Sequence, residues 1–399
     1  MPVNVLFPKN LVYNINKYKD IFVDFKMGNN IFFSCKANKS LCFLKTCADN
    51  GCGIEVSSIF ELEDALKYTR KIIASGPAKS IEYISLAIGN EIIISVDDIE
   101  ELKTIKEFNR SVSILLRIND VANSIISRFG INISQLQECI DIIKNSYINL
   151  IGFSFHINNY NLNDRINAIR KILEINKKYC LNIQYIDIGG GFPSNYCTKI
   201  EYKNFLKNNN SNMYFKKKKI NDFYTYNSEI ANEKALLYIL NNIVSELNNI
   251  QIIIEPGRSI LNNCGISIYK IEYLKNIANG EKLIITNGNI NCLSEQWFNS
   301  DYLIEPLLYK RNKKQAKLKE PIYASVAGNL CLEQDMITWR KIKFEYLPEK
   351  GDYLIYYNTA GYQMDSNESN FHKIPLVKKY IVEKCGNKYE IKEDEKYDC

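Results

Sequence analysis

The sequence predicts a mixed α/β chain: a closed (β/α)8 barrel of the TIM type followed by an all-β domain. Three observations carry that prediction. Short apolar runs alternate with amphipathic stretches through the first two thirds of the chain. Residues capable of chemistry sit where those runs end. The last third keeps the strand pattern but loses most of the helices.

The barrel runs are 31–35, 54–56, 72–74, 92–95, 114–118, 150–155, 185–188 and 252–254. Each is too short for a helix and lacks polar alternation, so each reads as a strand buried on both faces, as parallel strands are. Between them 60–69, 98–108, 134–143, 164–179 and 235–247 carry the 3.6-residue spacing of amphipathic helices. Eight such units close a barrel; a doubly wound sheet is the alternative with the same local pattern. The barrel is assigned to 12–264. The β-domain takes 265–399, where 266–274, 282–286, 322–326, 352–357, 379–383 and 389–391 read as strands, together with the strand-like residues 1–11. The polar, Asn/Lys-rich segment 199–232 reads as an irregular excursion on the barrel between its seventh and eighth strands.

Composition excludes several classes. Of 399 residues, 46% are apolar and 24% charged, the balance of a water-soluble globular protein. No apolar run approaches the roughly 18 residues a membrane span needs, and Met1-Pro2-Val3-Asn4 is unlike a signal peptide. The 12 cysteines contain no CxxC pair and read as reduced thiols of a cytoplasmic protein. With two histidines, a metal cluster is not expected. The only basic run, from Lys216 to Lys219, lies in the excursion and reads as solvated loop rather than a nucleic-acid site.

The run at Tyr185 to Ile188 ends in Gly189-Gly190-Gly191-Phe192-Pro193. Three residues without a Cβ let the backbone turn sharply and present its amides to an anion such as a phosphate. Other strand ends add Lys36 after the first, Glu55 in the second, Arg117 at the fifth, His156 at the sixth, and Glu255-Pro256-Gly257-Arg258 at the eighth. On a barrel these ends share the C-terminal face, where active sites lie. Singly, each residue is as well explained by structure; together they fit pyridoxal phosphate. Lys36 could bond its aldehyde, the three glycines with Gly257 and Arg258 could hold its phosphate, Glu255 could meet the ring nitrogen, and His156 could stack on the ring. Glu55 and Arg117 complete the expected cofactor set.

These residues also carry a family resemblance. Phe33-Ser34-Cys35-Lys36-Ala37-Asn38, Ser154-Phe155-His156, Asp187-Ile188-Gly189-Gly190-Gly191-Phe192-Pro193 and Glu255-Pro256-Gly257-Arg258 resemble the ornithine/diaminopimelate decarboxylase family, pyridoxal phosphate enzymes with an alanine-racemase-type barrel. The resemblance runs from about residue 31 to about residue 375. It implies an amino-acid substrate and a head-to-tail homodimer with active sites at the interface. Gly328-Asn329-Leu330-Cys331-Leu332-Glu333-Gln334-Asp335 resembles the family's cysteine motif. That likeness implies that Cys331 reaches the partner's site as a proton donor. Tyr362, in Asn358-Thr359-Ala360-Gly361-Tyr362, matches the tyrosine near the cofactor phosphate.

The departures bear on substrate. Diamine-forming members carry aspartate directly after the cysteine, and diaminopimelate decarboxylases glutamate then serine; this chain has Leu332 and then Glu333. Leucine cannot pair with a distal ammonium, which disfavours ornithine and lysine. The Cys-Leu-Glu pattern looks closer to decarboxylases of siderophore and natural-product pathways, such as the one acting on citryl-diaminopropionate in staphyloferrin B assembly. It implies a larger, often carboxylated substrate, with Asn299, Asp301, Leu332 and Glu333 as expected substrate contacts. Asn158-Asn159 replaces the family's Gly-Ser, so an amide is expected where a hydroxyl usually meets the phosphate. Glu55 stands where ornithine decarboxylases have aspartate. The rival readings are a diamine-forming or diaminopimelate decarboxylase, a racemase of the same fold, and a silent protein like the antizyme inhibitors. Racemases place arginine opposite the ring nitrogen, so Glu255 argues for decarboxylation.

Overall fold

The computed structural model describes residues 1–394, apart from 120, 122–126, 219, 222 and 294–299. It divides into two compact units: residues 11–193 with 230–260, and residues 1–10 with 194–229 and 261–399.

The chain opens with β1 (Val3–Leu6), which belongs to the second unit, and α1 (Pro8–Asp24). The first unit then runs β2 (Phe32–Ser34), α2 (Leu41–Asp49), β3 (Gly53–Val56), α3 (Ile59–Leu66), β4 (Ile72–Ala74) and α4 (Ile81–Gly89). It continues through β5 (Ile93–Val96), α5 (Ile99–Glu107), β6 (Val112–Arg117), α6 (Leu136–Lys144), β7 (Ile148–Ser154), α7 (Leu162–Lys178) and β8 (Tyr185–Asp187). Helices α8 (Lys199–Asn208) and α9 (Glu233–Ile243) precede β9 (Gln251–Ile253).

Strands β2 to β9 form one parallel eight-stranded sheet in sequence order, and a parallel bridge between Ile31 and Ile254 brings its two edges together. The barrel expected from the eight runs is therefore present. Its helices start where local chemistry says they should. Ser58, Ser80 and Asp98 cap α3, α4 and α5 by accepting from Glu61, Tyr83 and Glu100 amides.

The second unit is a mixed β-sheet: β10 (Gly265–Asn276), β11 (Lys282–Thr286), β12 (Leu307–Tyr309), β13 (Ile322–Ala327), β14 (Met336–Phe344), β15 (Tyr353–Tyr357), β16 (Lys378–Cys385) and β17 (Lys388–Glu393). Strand β1 lies between β10 and β16, antiparallel to the first and parallel to the second.

Two expectations need correction. The excursion is not barrel structure: residues 194–229 belong to the β unit, and Thr198 and Glu201 form a capping box that starts α8 inside it. Tyr226, fully buried, and half-buried Tyr196, Tyr202 and Tyr224 join Tyr302 in that unit's core. Strands β12 and β14 were not expected from the sequence. Arg340, Lys341 and Lys343 interrupt the apolar pattern of β14, and Arg340 is nonetheless buried, donating to the Leu303 carbonyl at 2.9 Å.

Candidate active site

Side chains alternate along a strand, so the residue two places after an inward apolar side chain also faces inward, one layer nearer the barrel mouth. Along the eight strands these pairs read Phe32 then Ser34, Gly53 then Glu55, Ile73 then Ser75, and Ile93 then Ser95. They continue as Leu115 then Arg117, Gly152 then Ser154, Tyr185 then Asp187, and Ile253 then Glu255. Phe32, Ile73, Leu115 and Ile253 pack together, with Ile93 and Tyr185 against them, and close the barrel floor. Above that floor Glu55, Ser75, Ser95, Arg117, Ser154 and Glu255 line a cavity of about 280 Å³, which Lys36, His156 and Asn158 also line. Ser75 and Ser95 escaped the sequence reading; the two-residue step from each apolar position would have found them.

Lys36 lies in the 3-10 turn that ends β2, and its Nζ donates to Glu55 Oε2 at 3.1 Å. Ser34 Oγ donates to the same oxygen at 2.6 Å and Ser57 Oγ to Oε1 at 3.1 Å. Burial alone would push the Glu55 carboxyl up. The Lys36 charge and the hydrogen bonds from Ser34, Lys36 and Ser57 outweigh it and hold Glu55 below the usual carboxylate range. Arg117 Nη1 donates to Asp97 Oδ1 at 3.1 Å, and the guanidinium lies 4.6 Å from the centre of the Phe129 ring.

Two other acids behave oppositely to Glu55. Burial, then the nearby Asp187 and Glu55 charges, push Glu255 well above its ordinary value. Burial also raises Asp187, although the Gly189 amide donates to its Oδ1 at 2.9 Å; Oδ2 is buried without a well-directed hydrogen bond. One proton shared by the Asp187 and Glu255 carboxyls is the arrangement this geometry favours. His156 is neutral: burial, then Lys36, Arg117 and Arg165, depress it to about 3, and its Nδ1 accepts from the Gly190 amide at 3.4 Å.

The glycine loop is as tight as its composition demands. Gly189 and Gly191 have φ of +66° and +75°, and a Cβ on Gly190 would lie 2.5 Å from the Glu255 carbonyl oxygen. A residue the sequence reading missed lies beneath it. Arg165 of α7 is fully buried among Leu162, Ile166 and Ile169, a helix face where only apolar residues are expected. A charge on that stripe was the available signal.

The other expected residues lie elsewhere. Gly257 is buried and Arg258 half-buried in the turn after β9. Cys331, Leu332 and Glu333 are exposed on the loop between β13 and β14, where Glu333 pairs with Lys216. Tyr362 is half-buried after β15, with φ of +71°. Asp301 is a correction: it is fully buried and its carboxylate accepts from the Trp339 amide at 3.1 Å, which makes it a structural group of the β unit rather than a substrate contact. Asn299 lies outside the described residues. Asn159 turns to the first turn of α7, donating to Asp164 at 2.6 Å, so of the two asparagines it is Asn158 that lines the cavity.

The donor set fits pyridoxal phosphate. A cavity-facing amine stands beside a carboxylate, a proton-holding acid lines the same cavity, and the glycine loop is one a Cβ would fill. A (β/α)8 barrel with this rim defines an enzyme that works through a bound aldehyde cofactor. The chain belongs to the pyridoxal-dependent decarboxylases: the family model for their pyridoxal binding domain matches residues 11–262. It is a pyridoxal phosphate-dependent amino-acid decarboxylase. The chain is 28% identical to the uncharacterized protein y4yA of Sinorhizobium fredii, over 96% of this chain and 87% of that protein. It is 23% identical to the diaminopimelate decarboxylase of Aquifex aeolicus, over 97% and 89%. Among solved structures, the diaminopimelate decarboxylase of M. jannaschii in complex with L-lysine superposes with a TM-score of 0.79 at 21% identity, covering 98% of this chain and 88% of that one. The arginine decarboxylase of Paramecium bursaria Chlorella virus gives 0.76 at 17% identity, covering 96% and 95%.

Proposed function

We propose that this decarboxylase removes the α-carboxylate of an amino acid larger than ornithine or lysine and often itself carboxylated, of the kind met in siderophore and natural-product pathways, and that it works as a homodimer in the cytoplasm. Leu332 carries the substrate reading. It lies beside Cys331 with 45% of its surface exposed, at the position where an ammonium-binding member of the family would present a carboxylate.

The cofactor, when bound, supplies an aldehyde for the substrate amine and an electron sink for the bond that breaks. The chain's own residues do the rest. Lys36 Nζ, held by Glu55, is the amine that would hold the aldehyde. Glu255, whose carboxyl holds a proton, would meet the ring nitrogen, and neutral His156 would lie against the ring without competing for that proton. The amides of the glycine loop and Arg258 take the phosphate, with Tyr362 completing the set. Cys331 Sγ, reaching the partner's site, delivers the proton that replaces the lost carboxylate.

A CO2-release screen over amino acids that differ in side-chain length and charge tests this reading. Turnover is expected with long or carboxylated substrates and not with ornithine or lysine, and efficient release from either diamine precursor would overturn it. Lys36→Ala run in the same screen is expected to lose both CO2 release and the visible absorbance of the bound cofactor.

A further inference from the structure

Arg165 is a cation held by dipoles alone. Nη2 donates to the carbonyls of Ile157 at 2.8 Å, Gly191 at 3.1 Å and Gly190 at 3.2 Å, and Nη1 to those of Asn159 at 2.7 Å and Asn161 at 3.5 Å. Its Nε is buried without a partner, and among the described residues no carboxylate forms an ion pair with it. Asp164, its neighbour in sequence, accepts from Asn159 instead. Burial pulls the guanidinium down to about 10, which still leaves it charged at neutral pH. A desolvated charge of this kind costs several kcal/mol unless something negative answers it.

The carbonyls it grips say where the answer lies. Among the described residues no peptide bond is cis. In a planar trans peptide the N–H points opposite to the C=O. Carbonyls of Ile157, Gly190 and Gly191 turned toward Arg165 therefore turn the N–H groups of Asn158, Gly191 and Phe192 away from it. Those three amides have no acceptor among the described residues. Asn158 lines the cavity, and the Gly190 amide meets cavity-lining His156. On the reading of the glycine loop as the phosphate cradle, we infer that Arg165 is a positioning residue for the cofactor phosphate. It holds the loop by its carbonyl side so that the amides face the anion, and its own charge balances the dianion from behind.

The test compares pyridoxal phosphate with pyridoxal, which has the same ring and aldehyde but no phosphate. Affinities come from absorbance titration of the full-length apoprotein, so no turnover is needed. Arg165→Met should weaken pyridoxal phosphate on the order of tenfold, the size of one charged hydrogen-bonding contribution. It should leave pyridoxal within about twofold, the scatter of uncoupled changes. Inorganic phosphate should raise the melting temperature of the wild-type apoprotein and not that of the variant. Equal losses for both ligands would make Arg165 merely structural and overturn the inference, as would no loss for either. If Arg165→Met does not fold, Arg165→Gln, which keeps two donors without the charge, serves in its place with the same expectation. Failure of both to fold would assign the residue to the fold itself and overturn the inference. A wild-type protein that bound pyridoxal as tightly as its phosphate would instead overturn the cradle reading on which the inference rests.

Discussion

His156 shows how much of this site is set by burial. Its ordinary value of 6.5 falls to about 3 in the folded barrel. Between those values the unfolded chain binds a proton that the folded one refuses. The stability this residue contributes is therefore complete above about 6.5 and is lost as pH falls toward 3. The apoprotein of His156→Gln should lose less melting temperature than the wild type between neutral pH and about pH 4. Melting curves at matched pH decide it, and parallel curves would mean the imidazole is not held neutral. Glu55 moves in the other direction from Glu255 because it has what Glu255 lacks, a cation and two hydroxyls within hydrogen-bond reach. Residue types at the strand ends were legible in the sequence. Which acid would be ionised was not, since that depends on partners far apart in the chain.

At the scale of elements, the barrel strands could be read because a strand buried on both faces leaves a local mark: three to six mostly apolar residues bounded by turns. The two-residue step then fixed which positions face the mouth. Strand β14 left no such mark. Trp339 and Ile342 are buried beside Arg340, Lys341 and Lys343, and only the sheet decides that Arg340 goes inward. The excursion was misplaced for a related reason. Its asparagines and lysines dominate the composition, while tyrosines and phenylalanines do much of the packing. Tyr226 illustrates this: its ring lies 5.5 to 5.9 Å from those of Tyr224, Tyr196 and Tyr302. Tyr226→Ala should destabilise the β unit by about 3 kcal/mol, as truncation of a fully buried aromatic does. Urea unfolding followed by a signal from that unit checks it, and a loss under about 1 kcal/mol would show that the excursion is only laid on the surface.

At the scale of the molecule, the proposed dimer makes a quantitative demand. If Cys331 serves the partner's site, Lys36→Ala and Cys331→Ala chains, each defective alone, complement each other on mixing. Half of a random mixture is then mixed dimers with one intact site of two, so roughly a quarter of wild-type amine formation should return. Product analysis after subunit exchange measures it. No recovery would place the cysteine in its own chain's chemistry or outside the chemistry altogether.

By itself the sequence determined the barrel, its strand ends, the glycine loop, the lysine after the first strand and the acid after the eighth, because each leaves a pattern within a few neighbouring residues. Tertiary structure alone decided that Lys36 is held by Glu55, that Asp301 is buried, that residues 194–229 belong with the β unit, and that Arg165 lies under the loop. Each of those outcomes depends on contacts between residues distant in sequence, and on burial, which acts on a charge only once the chain has closed around it.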